Sequence, residues 1–219
     1  TGKSLVELAT EISRQQESKR DFLINTKRIN AFVHNDNLEI GFPIKDNDTE
    51  LFTAPLTSNG HIQLGQYCDI PKKYYDMLLK HPHLLQQNVQ HWLQHNADNR
   101  MIRTLDGNVR AILSDKYRRL DNFDLAQNVL PMLYDVKANV ESCEITDKKI
   151  YIKAITHQVQ GEIKKGDVVS AGIIISNSET GHGSLSIKPL IYRLVCSNGA
   201  IADDYAMRKY HAGRVEEMS

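Results

Sequence analysis

The sequence predicts an α+β fold, an antiparallel β-sheet with hairpins packed against helices. Three observations carry this expectation. Helical apolar spacing recurs in four windows. Two hairpin signals follow, at Asp106-Gly107 and Thr146-Asp147-Lys148. The last third of the chain then reads as mostly strand. No repeat, low-complexity tract or clear linker divides the chain, so one α+β domain over 1–219 is expected. Within it, 1–60 is an N-terminal helix with strands, and 61–219 is the main body.

The first helix is expected over 3–20, with Leu5, Leu8, Ala9 and Ile12 on one stripe and Ser4 as cap. Phe22–Val33 and Asn37–Ile44 read as extended segments separated by the turn-forming His34-Asn35-Asp36-Asn37. The window 36–50 sets Asp36, Glu39, Asp46, Asp48 and Glu50 against Lys45 alone, which reads as a solvated acidic loop. After Asp69-Ile70-Pro71, helices are expected at about 72–80 and 83–95, divided by His81-Pro82-His83. Met101–Leu105 and Val109–Leu113 flank Asp106-Gly107, a pair that tolerates the positive φ of a tight hairpin. A helix is expected at 123–134 with Asn122 as cap and Pro131 as kink or early stop. Asn139–Ile145 and Lys149–Ile155 form the second hairpin. Val168–Ser176, apolar on both faces, is expected as a central strand. Ser184–Ser197 is another strand, with Pro189 marking a bulge or edge, and 203–217 is expected to be partly helical.

Composition narrows the function classes. The chain has 219 residues with 41% hydrophobic and 25% charged, ordinary for a globular protein. It has 27 basic and 27 acidic residues, which leaves room for a local patch but not for a basic arm or acidic tail. No apolar run approaches the ~18 residues of a membrane helix, so no membrane partner is expected. Cys68, Cys143 and Cys196 form no CxxC pair, which points to a reduced, cytoplasmic compartment. The chain opens without Met, and its ends read as those of a trimmed core of something longer.

The strongest chemical signal is the segment 100–119. It gathers Arg100, Arg103, Arg110, Lys116, Arg118 and Arg119 around Tyr117, against Asp106 and Asp115. A hairpin brings its arms within about 5 Å, so Arg103 and Arg110 are expected near each other. Guanidinium groups neutralise phosphates, and an aromatic ring stacks on a base. The competing reading is a solvated face whose arginines pair with Asp115, Asp121 and Asp124. A second stripe, Lys149, Tyr151 and Lys153, alternates with Ile150, Ile152 and Ala154. That alternation sends the aliphatic residues inward and leaves a Lys-Tyr-Lys face outside. Such a face suits a single-strand groove and also suits any half-exposed strand.

Other constellations read as structural. His91 and His95 share a helix face, but no third ligand has a metal-site spacing. Asn177–Gly183 is Gly-rich but leads into a strand, unlike a phosphate loop, and reads as a turn. Cys196 with His182 or His211 lacks any spacing that fixes a thiol nucleophile, so a buried strand cysteine is favoured. No catalytic residue, metal or cofactor is assigned.

The order of several stretches resembles the phage- and plasmid-related family of domains of unknown function numbered nine-three-two. They are Leu64-Gly65-Gln66-Tyr67-Cys68-Asp69-Ile70-Pro71-Lys72-Lys73-Tyr74, Pro82…Asn88…Trp92, Arg103-Thr104-Leu105 and Val109 through Asn122. Gly166-Asp167, Asn177-Ser178-Glu179-Thr180-Gly181 and Tyr192 through Gly199 follow. Together they span about 60 to 210. The resemblance implies a mobile-element context in a bacterial host. It also suggests similarity to single-strand annealing proteins, the RecT-like and Rad-type superfamily. Those proteins form rings or filaments and hold single-stranded DNA in a basic groove without nucleotide hydrolysis.

On this reading the chain is a single-stranded DNA-binding and annealing protein acting in recombination as a ring-like homo-oligomer. Arg103, Arg110, Lys116, Arg118 and Arg119 hold phosphates and Tyr117 stacks, with Arg100 in the same cluster. Lys149, Tyr151 and Lys153 add to them, as does Arg193. Two rivals stand beside it. One is a metal-dependent enzyme on nucleic acid or a phosphorylated substrate; the other is an interaction factor of a mobile element.

Overall fold

The structure, a computed structural model, describes residues 4–44, 50–162, 168–193, 200–201 and 207–209. Its helices and antiparallel sheets make an α+β fold, as expected. The chain falls into two compact units. Glu17–Tyr117 forms a contiguous inserted unit, and the flanking unit draws on Thr1–Gln16 and Arg118–Ser219.

The inserted unit holds two three-stranded antiparallel sheets. In chain order its elements are β1 (Arg20–Asn25), a 3-10 turn (Thr26–Arg28), β2 (Asn30–His34), β3 (Asn37–Pro43) and β4 (Leu51–Pro55). They continue with α2 (Ser58–Tyr67), α3 (Lys72–Leu78), α4 (Pro82–His95), β5 (Asn99–Leu105) and β6 (Asn108–Ser114). One sheet is β1-β5-β6 and the other β2-β3-β4. The 3-10 turn splits the first expected extended segment into β1 and β2, and the Asn25 side chain caps it by accepting from Lys27 N at 3.1 Å. Both tight hairpins have the positive φ their sequences allow: Asn35 48° and Asp36 58°, then Asp106 50° and Gly107 74°.

Aromatic packing ties the two sheets together. The rings of Phe22 and Phe42 lie 5.1 Å apart, those of Phe22 and Phe52 5.1 Å, and those of Phe42 and Phe52 5.3 Å. Around them Ile40, Leu64, Leu78, Val89 and Ile102 are fully buried, each contributing about 1.5–3 kcal/mol. The helix α2 was not legible beforehand. Thr57 starts it by accepting from Gly60 N at 3.2 Å. Gly60 lets it lie on β6, since a Cβ there would collide with the Val109 carbonyl. Pro71 stands at the N-cap of α3, and Pro82 occupies the first turn of α4. In the acidic window, Glu39 accepts from His34 at 3.1 Å; positions 45–49 lie outside the described residues.

The flanking unit packs α1 (Leu5–Ser18) and α5 (Asn122–Asp135) over a large antiparallel sheet. Its strands are β7 (Asn139–Ile145), β8 (Ile150–Glu162), β9 (Val168–Asn177), β10 (Leu185–Arg193), β11 (Ala200–Ile201) and β12 (Met207–Lys209). Their order is β7-β8-β9-β10-β11, with β12 also pairing β10. Ser4 and Glu7 form a reciprocal capping box, with Ser4 N donating to the Glu7 carboxylate at 2.7 Å and Glu7 N to Ser4 Oγ at 3.2 Å. Leu8 and Ile12 of α1 join Leu125, Ala126 and Leu133 of α5 against Ile150, Ile152, Ala154 and Ile175. β9 is central, as its two apolar faces require.

Two expectations change here. Asn122 does not cap α5; Asp121 holds that position, and Asn122 N donates to Glu179 Oε1 at 2.7 Å. The exposed Pro131 does not stop the helix, which runs to Asp135. Within the tail expected to be partly helical, Met207–Lys209 is the strand β12, paired with Leu185–Ile187; the rest of 203–217 lies outside the described residues. Pro189 falls between the segments of β10 that pair with β12 and with β11, where a missing N–H costs little. Positions 194–197 and 210–217 lie outside the described residues.

Candidate nucleic-acid interface

The arginine-rich hairpin forms where expected, but its charges scatter. Arg103 is fully buried, and its guanidinium grips Asp21 in a fork, Nε to Oδ1 at 2.9 Å and a terminal nitrogen to Oδ2 at 3.0 Å. The register places Asp21 directly opposite Arg103 on neighbouring strands. Arg110 is 5% exposed, beneath α2, whose Asn59 donates to the Arg110 carbonyl at 2.8 Å. A buried cation must be matched inside the fold. Arg103, matched in this way by Asp21, holds the inserted unit together, and Arg110 is withdrawn from solvent under α2, so neither side chain stands on the surface where a phosphate contact was expected.

The remaining members of that cluster are more accessible. Arg100 is partly exposed, donates to Asp98 Oδ2 at 3.0 Å and stacks over the Tyr67 ring at 4.7 Å. This pair lines a cleft of about 360 Å³ with Gln63, Gln66 and Ser114. Lys116 is exposed in the turn after β6, where its amide donates to Ser114 Oγ at 3.2 Å. Tyr117 is half-buried, and its amide donates to the Ser114 carbonyl at 3.0 Å. Arg118 and Arg119 are exposed and begin the second part of the flanking unit. The hairpin thus does not assemble all six cations into one patch.

The second stripe becomes the face of a sheet. Ile150, Ile152 and Ala154 are buried under the helices, so Tyr151 and Lys153 of β8 stand on the opposite face. Directly paired residues share a face across an antiparallel sheet. Tyr151 pairs with Ser176, which pairs with Ser186. Lys153 pairs with Ile174, which pairs with Lys188. Two residues beyond Leu190, Tyr192 of β10 lies on this face as well. The Lys153 ammonium sits over the Tyr192 ring, 5.2 Å from its centre. Ile155, Ile174 and Leu190 form a small apolar floor there with Tyr192 packed against it. Lys153 and Lys188 stand two strands apart, roughly 10 Å.

Lys149 is exposed and precedes β8 at the hairpin turn. Its Nζ reaches over Gly183. Next to it His182 is held below its ordinary 6.5 by burial and then by the charges of Lys148 and Lys149. Arg193 ends β10, paired with Val169; its side chain lies outside the described set. Sequence reasoning missed Lys188 and Tyr192. The period-2 alternation Ser186, Lys188, Leu190, Tyr192 was the available signal.

The Gly-rich turn has a structural task. Asn177 Nδ2 donates to the Leu120 carbonyl at 2.8 Å and to Asn122 Oδ1 at 3.0 Å. Ser178 Oγ donates to the Lys148 carbonyl at 2.6 Å, and Thr180 Oγ1 to the Asp147 carbonyl at 3.0 Å. With Glu179 at the start of α5, this buried loop anchors the helix and the β7–β8 turn. Cys68 and Cys143 are buried; Cys196 and His211 lie outside the described residues. Among the described residues no group of His, Cys, Asp and Glu is placed to hold a metal ion, and no helix is long and apolar enough to cross a membrane.

Residues 111–217 match the model of the family described as Domain of unknown function (DUF932). The match takes in the end of β6 from Ala111, α5 and the whole sheet of the flanking unit; the resembling stretches from 64 to 110 precede it. No curated protein and no solved structure matches the chain.

Proposed function

We propose that the chain, a DUF932 protein over residues 111–217, binds single-stranded nucleic acid on the β8–β10 face and promotes annealing of complementary strands as a homo-oligomer. The observation that carries this reading is the Lys153 ammonium poised over the Tyr192 ring, with Tyr151 and Lys188 on the same face. A ring offers a base its π-face whatever the sequence, and a neighbouring lysine neutralises the phosphate beside it. When a base displaces the ammonium from the ring, the lysine stays close enough to meet that nucleotide's phosphate. Lys149, Arg118 and Arg119 are exposed cations of the same unit that would extend the contact; within the inserted unit Lys116 is exposed too, and Arg100 over Tyr67 repeats the pairing of cation and tyrosine.

Annealing needs no covalent chemistry. Two complementary strands repel through their phosphates, and a protein that cancels this repulsion with the bases accessible lets them pair. A net charge of zero makes repetition in an oligomer the means of building a strong field from a few lysines.

Fluorescence anisotropy of a labelled single-stranded oligonucleotide, titrated at several salt concentrations, tests the reading beside light scattering on the same protein. Micromolar or tighter binding by an oligomer is expected. Each lost phosphate contact reduces the slope of log affinity against log salt by about 0.7. Lys153→Ala and Lys188→Ala should each lower the slope, and Tyr192→Ala should weaken binding by about 1–3 kcal/mol with the slope retained. A strand-pairing assay without nucleotide then follows. No binding at low salt, or full binding in all three variants, refutes the proposal.

A further inference from the structure

The inserted unit has a second cleft, of about 360 Å³, between α2 and α3. That volume lies at the small end of ligand-binding pockets, the size of a single-ring molecule. Gly65 makes room for it: the Tyr75 ring lies so close to α2 that a Cβ on Gly65 would come within 2.8 Å of it. Tyr75 is 4% exposed, and its hydroxyl meets His61 Nδ1 at 3.0 Å. His61 and Gly65 are one turn apart, so imidazole and phenol sit on the same wall. Ile62, Ile70 and Leu79 supply aliphatic carbon around them. At the rim Lys72 and Asp76 form an ion pair, which cancels both charges.

Ser58 and Gln66 line the cleft from exposed positions, so the partly buried His61 is the hydrogen-bonding group set among its apolar walls. With Nδ1 engaged by Tyr75, the imidazole keeps Nε2 for another partner. If the phenol donates to Nδ1, Nε2 carries the proton and donates; if it accepts, Nε2 accepts. Burial holds the His61 pKa below its ordinary 6.5, so the ring is neutral at physiological pH. A hydroxyl group satisfies either tautomer, because it both donates and accepts. A charged ligand would lose its hydration against apolar walls with no free counter-charge at the rim.

We propose that the α2–α3 cleft binds a small, uncharged, ring-sized ligand carrying a hydroxyl group, which packs on Ile62, Ile70 and Leu79 and hydrogen-bonds to His61. The site lies in a different unit from the sheet face and stands or falls independently of nucleic-acid binding.

The full chain is titrated with p-cresol, toluene and p-toluate while amide 1H–15N shifts are followed. p-Cresol should shift amides of α2 and α3 and bind several-fold, up to about tenfold, tighter than toluene. p-Toluate should bind weakest. His61→Leu should bring p-cresol to the level of toluene and leave toluene unchanged. Ser58→Trp, at an exposed lining position, should abolish binding of both and keep the fold. The Trp92 fluorescence and a native amide spectrum report the fold in each variant. Equal affinity for p-cresol and toluene would mark a mere apolar slot and overturn the ligand assignment. Absence of α2–α3 shifts, tightest binding by p-toluate, or a preference for p-cresol that survives His61→Leu would overturn it too. Should His61→Leu unfold, the wild-type ranking of the three probes and the Ser58→Trp result decide.

Discussion

Replacing Asp21 by Asn leaves Arg103 charged, buried and without its carboxylate. The side chain of Arg103 is 0% exposed and that of Asp21 12%, so solvent can neither screen the pair nor replace the lost partner. Breaking a buried pair from one side costs about 3–5 kcal/mol, whereas an exposed pair is worth about 0.2–1 kcal/mol. With a urea dependence of about 1.5 kcal/mol per molar for a unit of this size, the first figure moves the unfolding midpoint by about 2 M or more. The single tryptophan, Trp92, packs against the core of this unit, so its fluorescence follows the right transition. Urea titration of Asp21→Asn by Trp92 emission is the assay. The paired change Asp21→Leu with Arg103→Met should recover most of the loss, because matched apolar groups remove both desolvation costs. It should leave the salt dependence of oligonucleotide binding unchanged. A midpoint shift below about 0.7 M for Asp21→Asn would refute the reasoning, since that is the range of an exposed pair. A flattened salt slope in the double variant would return Arg103 to the phosphate-contacting set.

Three further outcomes are expected. Glu179→Ala should raise hydrogen exchange at the first amides of α5, at a cost of about 1–2 kcal/mol, because Asn122 N loses its acceptor; unchanged exchange there would contradict the capping role. The stability of the inserted unit should be full above pH 6.5 and fall as the pH drops through 6.5 toward the lowered folded pKa of His61. The sign follows from the unfolded chain binding the proton first, and His61→Gln should flatten that part of the stability curve measured by urea at successive pH values. Cys68, whose thiol burial pushes up to about 12, should resist iodoacetamide at pH 8 in the folded protein and react on denaturation, read by peptide mass mapping.

What could be read beforehand was local. Asp106-Gly107 announced its hairpin because two adjacent residues suffice for the turn. Ile150, Ile152 and Ala154 announced the buried face of β8, and with it the outward Tyr151 and Lys153, because a strand's period is fixed. The DUF932 resemblance held over 111–217. What escaped depends on partners far along the chain. Arg103 meets Asp21 from 82 positions away, and Asn122 meets Glu179 from 57. No local pattern distinguishes an arginine with such a partner from one facing water. The helix α2 escaped for another reason: two glycines and several polar residues in Ser58–Tyr67 hide its stripe, and packing on β6 overrides weak propensity. Lys188 and Tyr192 were in plain view, but only the pairing of β10 with β9 puts them on the face that carries Lys153.

The chain order of the two units has a consequence for synthesis. Glu17–Tyr117 is contiguous and carries both of its sheets, so it can close as soon as Tyr117 has left the ribosome. The flanking unit cannot. Leu8 and Ile12 emerge before the insert yet bury against β8 and β9, which are translated after all of it. At about 5–20 residues per second, α1 waits on the order of 10 seconds or longer with its apolar stripe uncovered. Its capping box and its Glu11–Arg14 pair need no partner from the far end of the chain, so they favour the helix before the strands arrive.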